Sequence, residues 1–168
     1  MTETKTLHKL FWEWDFEKEE RWLNTMAQEG WALKSVGLCT YTFERCEPGA
    51  YILRLAMLDD SGDCKSFMEE LGAECVGRIF QWSYFRRKAE LGAFEMFSDI
   101  DSRISHLDRI GKTISVLCIA NLGIGVANIL NGISISCLNL LCAALLAYGL
   151  GRIHGKRETL KEERDLHE

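Results

Sequence analysis

The apolar and polar positions of this chain follow two different rhythms. Up to about residue 88 they alternate in short stretches bounded by Gly, Pro or Asp. From Thr113 to Gly151 there are 39 consecutive positions without one charged side chain. In the first part, Leu10, Trp12, Trp14 and Phe16 alternate against Lys9, Glu13 and Asp15, which predicts a first strand. A helix is expected at 17–29, with Glu17, Glu19 and Glu20 near its positive end and Trp22, Leu23, Met26 and Ala27 on one stripe. Gly30 is its expected C-terminal stop. Strands are expected around Trp31–Val36 and through Cys39, Tyr41 and Phe43, followed by a Pro48-Gly49 turn.

The pattern then recurs. Tyr51, Leu53, Leu55 and Met57 alternate, a loop Asp59–Gly62 follows, and Cys64, Phe67, Met68 and Leu71 have helical spacing over 63–71. Gly72 stops that helix, and strands are expected over Glu74–Phe80 and Trp82–Arg87. A shift of 42 residues places Met26 on Met68, Gly30 on Gly72, Phe43 on Phe85 and Arg45 on Arg87. Two β-α-β-β units predict an α+β domain over 1–88: a mainly antiparallel sheet with both helices on one face, ferredoxin-like in spirit.

From Ala89 the pattern becomes helical. Phe97, Ile100, Ile104, Leu107 and Ile110 recur at three and four, and Ser98-xx-Asp101 reads as a capping box. An amphipathic linker helix is expected over 89–112, continuing into the charge-free run. One helix of that run's length would be about twice the ~30 Å hydrocarbon thickness of a bilayer. Asn131-Gly132 near its middle is a turn dipeptide, so the run predicts a transmembrane hairpin with spans 113–130 and 133–151. A charged tail, 152–168, follows. Arg103, Arg109 and Lys112 flank one end and Arg152, Lys156 and Arg157 the other, which predicts both termini on the cytoplasmic side of a cell membrane.

Asn121, Asn128 and Asn139 lie inside the spans, where an unpaired amide is costly. They are expected to face another helix, either within the hairpin or in a second membrane protein or copy. Gly123-xxx-Ala127 and Ala143-xxx-Ala147-xxx-Gly151 are small-residue stripes of the kind that pack helices closely. The spans hold no ionisable residue, which argues against a transport path.

Residues 1–110 hold 14 Lys/Arg against 20 Asp/Glu, so no nucleic-acid partner is expected. The N-terminus lacks the apolar core of a signal peptide. Seven cysteines without a CxxC pair read as reduced thiols, with no metal site or cofactor expected. His8, His106, His154 and His167 are scattered, and Asp59, Asp60 and Asp63 lack the ligand series of a calcium loop. Five tryptophans fill a core or line a ligand pocket; in the second case Trp14, Trp31 and Trp82 would form the walls, with Arg54 or Arg86 as polar anchor.

Glu19-Glu20-Arg21-Trp22-Leu23-Asn24 and Met26-Ala27-Gln28-Glu29-Gly30-Trp31 resemble the "KEExWLNxMAxxGW" opening of the DUF2812 family. Tyr41–Glu44, Glu47–Tyr51, Trp82–Arg87 and Phe97-Ser98-Asp99 resemble its later blocks, so the resemblance covers residues 8–110. It implies a bacterial protein with C-terminal membrane spans, from a family often encoded near PadR-type transcriptional regulators, and brings no catalytic residues. The chain is thus expected to be a membrane-anchored cytoplasmic ligand- or protein-binding regulatory module and not an enzyme. The alternative is an accessory subunit of an integral membrane complex.

Overall fold

The structure, a computed structural model, describes residues 3–58, 68, 70–97, 99–133 and 136–167. It comprises two units, Met1–Met96 and Phe97–Glu168. The first is α+β: β1 (Thr4–His8), α1 (Phe16–Gln28), β2 (Trp31–Gly37), β3 (Thr40–Arg45), β4 (Tyr51–Met57), β5 (Ala73–Ile79) and β6 (Trp82–Lys88). The strands form two antiparallel three-stranded sheets, ordered β1-β3-β2 and β4-β6-β5, where one sheet was expected.

The first strand differs from the sequence expectation. β1 lies upstream of the aromatic alternation, while Trp14 sits in a 3-10 turn, Glu13–Asp15, and Phe16 opens α1. Spacing of two here reflects ring stacking in a turn, since Trp12 and Trp14 stack at 5.1 Å with planes 3° apart. β1 is polar because it pairs with β3 along one edge and half-buries only Lys5 and Leu7.

The 42-residue repeat is present in the backbone. β2 and β5 both begin after a glycine with positive φ, Gly30 (+85°) and Gly72 (+76°). Each carries a register shift against its neighbour at the same offset, between Leu33 and Ser35 in β2 and between Cys75 and Gly77 in β5. Gly77 lets the two strands approach: a Cβ there would lie 2.6 Å from Val36 Cγ1.

One core joins Leu23, Met26 and Ala27 of α1 to Leu33, Tyr41 and Phe43 of the first sheet and Leu53, Leu55 and Tyr84 of the second. Neighbouring residues of a strand point to opposite faces. Ile52 and Phe85 therefore face away from that core, into a second cluster with Met68, Ala73 and Phe94. The helix expected over 63–71 lies mostly outside the described residues. Met68 itself packs with Ala73, Phe85 and Phe94, and the expectation that both helices share one face falls on that segment outside the described residues.

Ala89–Leu91 is a short 3-10 turn and the expected linker helix begins only at Ile100. The intervening segment covers the sheet instead. Phe94 is buried there under the Arg87 guanidinium, and Arg87 donates to the carbonyls of Leu91 (2.6 Å) and Ala93 (3.5 Å). Ser98 lies outside the described residues; the helix is capped by Asp99, whose Oδ1 accepts from Ser102 N at 2.6 Å.

The second unit is an antiparallel helical hairpin of α2 (Ile100–Leu130) and α3 (Ser136–His167). Each helix is about 46–48 Å long at 1.5 Å per residue. Asn131-Gly132 turns the chain as expected. Gly132 adopts φ +68°, and the amides of Gly132 and Ile133 return to the carbonyls of Ile129 (3.0 Å) and Asn128 (2.8 Å). That double bond is a Schellman closure, which needs a left-handed residue just past the helix end. The expected tail at 152–168 is a continuation of α3 as far as His167.

Candidate functional site

Trp14 is buried and stacked on Trp12. Trp82 lies against Phe16 (5.3 Å) and donates Nε1–H to Glu13 Oε1 at 3.4 Å, so both tryptophans meet the segment 12–16. Trp31 has other company, with Lys5 Nζ 4.5 Å and the Arg45 guanidinium 4.9 Å from its ring. The two candidate anchors brace the fold. Arg54 donates to Glu20 Oε1 (3.3 Å) and the Leu53 carbonyl (3.1 Å). Arg86 reaches Glu74 (2.8 Å), Glu44 (2.7 Å) and the Leu33 carbonyl at the β2 irregularity (2.9 Å), tying one sheet to the other.

A polar centre that the periodicity did not single out lies beneath α1. Glu19 is buried, and its Oε1 accepts from Tyr41 Oη at 2.6 Å and Tyr84 Oη at 2.7 Å, one hydroxyl from each sheet. Burial pushes the Glu19 carboxyl above the usual carboxylate range, against the two hydroxyl donors that lower it. Burial, then the adjoining carboxylate, holds both tyrosines far above their ordinary range, so they stay protonated donors. One helical turn away, the Asn24 amide donates to Leu53 O (2.9 Å) and accepts from Leu53 N (3.0 Å), while Glu20 Oε2 accepts from Leu55 N (3.0 Å). These two side chains act as a surrogate strand on the free edge of β4. The Glu-Glu-Arg-Trp-Leu-Asn block is therefore a folding device. The missed signal was a glutamate inside an otherwise apolar helix stripe.

In the hairpin, the face of α2 turned toward α3 follows a strict heptad: Ile104, Leu107, Gly111, Ile114, Cys118, Asn121, Gly125 and Asn128. Steps of three and four in this order are coiled-coil geometry. Along α3, Asn139, Ala143, Leu146, Leu150, Ile153 and Arg157 follow the same rhythm. Asn139 links both α2 asparagines, accepting from Asn128 Nδ2 (3.4 Å) and donating to Asn121 Oδ1 (3.5 Å), while Asn121 Nδ2 donates to Leu117 O (2.8 Å). The three half-buried amides thus have partners within the hairpin.

Gly111 and Gly125 both lie on the packed face of α2, and Gly125 is the tighter of the two. A Cβ on Gly125 would lie 2.9 Å from Leu140 Cδ2, whereas one on Gly123 meets nothing within 4 Å. Ala143 is buried, but Gly123, Ala127, Ala147 and Gly151 face outward. Spacing of four could not distinguish these faces; the heptad running through the asparagines would have. Beyond the charge-free run, two ion pairs join the helices, Asp108–Arg157 (2.6 Å) and Asp101–Arg164 (3.2 Å). His106 is buried beside Phe97 at 4.6 Å, and burial together with Arg109 pushes its pKa down to about 4.

Neither the curated proteins nor the solved structures contain a match to this chain. Residues 15–119 match the model of the family described as "Protein of unknown function (DUF2812)", a stretch running from the 3-10 turn before α1 into the first long apolar helix. The block that opens the match is the one that builds the Glu19 centre and the β4 edge, and the chain belongs to the DUF2812 family.

Proposed function

We propose that this protein is a membrane-anchored regulatory module whose α+β unit lies in the cytoplasm and whose hairpin crosses the bilayer twice. One observation carries the reading. Of the most apolar 18-residue stretches of α2 and α3, only 11% and 17% is buried, whereas a core helix of a soluble protein would be mostly buried. Their outer faces expose Val116, Ile119, Leu122, Leu138, Leu141 and Tyr148, an apolar area that water does not tolerate and lipid does. The α+β unit would bind a ligand or protein, and the basic ends at 103–112 and 152–157 favour the cytoplasmic orientation of both termini. No residue is assigned a catalytic role.

Two measurements test this. The full chain should stay in the membrane pellet after alkaline carbonate washing. In a cysteine-free background, N131C should react with an impermeant maleimide in intact cells and K161C only after permeabilisation; the reverse pattern overturns the orientation. A second reading, an accessory subunit of an integral membrane complex, is favoured by the outward small residues Gly123, Ala127 and Ala147. Under that reading, G123L with A147L strips a co-purifying membrane protein without altering fractionation.

A further inference from the structure

A groove of about 460 Å³ opens between the two helices where the charge-free run ends. That volume is within the ~300–1,000 Å³ of small-ligand sites. Its lining straddles the boundary: Ser115 and Val116 belong to the run, while Lys112, His154 and Arg157 stand just outside it. Asp108 is also at the wall, held by Arg157 Nε at 2.6 Å, and Arg157 Nη1 lies 3.2 Å from Glu158. The unbalanced positive charge at the groove is therefore that of Lys112. Lys112 is exposed and makes no ion pair among the described residues. Buried Gly111 puts no side chain into the space between the helices.

We propose that this groove seats the phosphate of an anionic phospholipid from the leaflet facing the α+β unit. The proposal rests on the membrane reading above. In a bilayer spanned by the charge-free run, the groove opens at headgroup depth, and basic pockets between spans at this depth suit anionic headgroups. Lys112 approaches the phosphate from one helix and the remaining Nη2 of Arg157 from the other, with the Ser115 hydroxyl and the His154 ring as further donors. Val116, 66% exposed on the bilayer side, meets the ester and first methylenes of a lipid; a free anion would gain nothing from it.

The test uses the full chain in nanodiscs of phosphatidylcholine doped with phosphatidylglycerol, with retained lipid read by native mass spectrometry. The wild type should enrich phosphatidylglycerol. K112Q should lower that enrichment about fivefold, whereas K161Q, an equal charge change outside the groove, should keep it. Equal losses in both variants, or no enrichment in the wild type, overturn the proposal. Displacement of the lipid from detergent-solubilised protein by excess inorganic phosphate would make this a free-anion site and also overturn it. Failure to pellet with membranes sinks the membrane reading itself, whereas a pelleting protein without enrichment sinks only the lipid site.

Discussion

Tyr84 donates its hydroxyl to Oε1 of Glu19 at 2.7 Å across 65 positions of sequence, and this bond fastens α1 to the second sheet as the Tyr41 bond fastens it to the first. Removing the acceptor while keeping the tyrosines therefore strands two buried hydroxyls at once. E19A should destabilise the α+β unit by about 2–6 kcal/mol, from two buried hydroxyls left without their acceptor at ~1–3 kcal/mol each. Denaturant unfolding followed by tryptophan fluorescence measures it, and a loss below ~1 kcal/mol would remove Glu19 from the fastening role.

The same carboxyl sets a pH response. Its folded-state pKa is raised, so its contribution to stability is fully present below the ordinary carboxylate pKa and is lost as pH rises through the raised value. E19Q keeps an acceptor oxygen and does not titrate. Its melting temperature, compared with the wild type across this window, should fall less as pH rises.

His106 responds in the opposite sense. Its pKa is lowered to about 4, so the folded form resists protonation and stability is lost as pH falls from about 6.5 toward 4. The hairpin should loosen at its charged end in that window, seen as faster amide exchange around 100–110. H106F should suppress the change.

Asn24 has a different partner. N24L would leave the N–H of Leu53 without its acceptor on the strand edge, while the Leu53 carbonyl keeps only the Arg54 guanidinium. A loss of about 1–3 kcal/mol is expected, with a greater tendency to self-associate through the edge of β4. Light scattering together with denaturant unfolding would report both.

At Gly77 the neighbour is a β-branched side chain with little freedom to move. G77A should cost about 1–3 kcal/mol by overpacking against Val36. V36A should recover much of it in the double variant, and additive losses in that cycle would disprove the contact.

The elements governed by local chemistry were legible in the residues. Gly30, Gly49, Gly72 and Gly132 all take the positive φ that their turns require, and the Asn131-Gly132 reversal lies where the charge-free run divides. The repeat, faint as identity, is expressed as matching bounds for β2 with β5 and β3 with β6, and as matching irregularities, because both depend on backbone pairing more than on side-chain identity. The family followed from the α1 block, whose spacing carries both the apolar stripe and the polar contacts.

Tertiary structure decided the rest. Polar β1 became a strand only because the edge of β3 was available to it, and the aromatic run at 10–16 became a stacked turn because Trp14 found a buried site. Glu19, Tyr41 and Tyr84 belong to no common period; only the packing of α1 on two sheets brings them together. In the hairpin, the sequence by itself determined two long apolar helices and a turn, since length, absence of charge and the Asn131-Gly132 dipeptide suffice for that. Which small residues pack was decided by the rotation of each helix about its axis, which turns the Ile104-to-Asn128 heptad of α2 toward α3. The groove beside Lys112 arises from that same rotation, because it brings residues about 40 positions apart to one mouth.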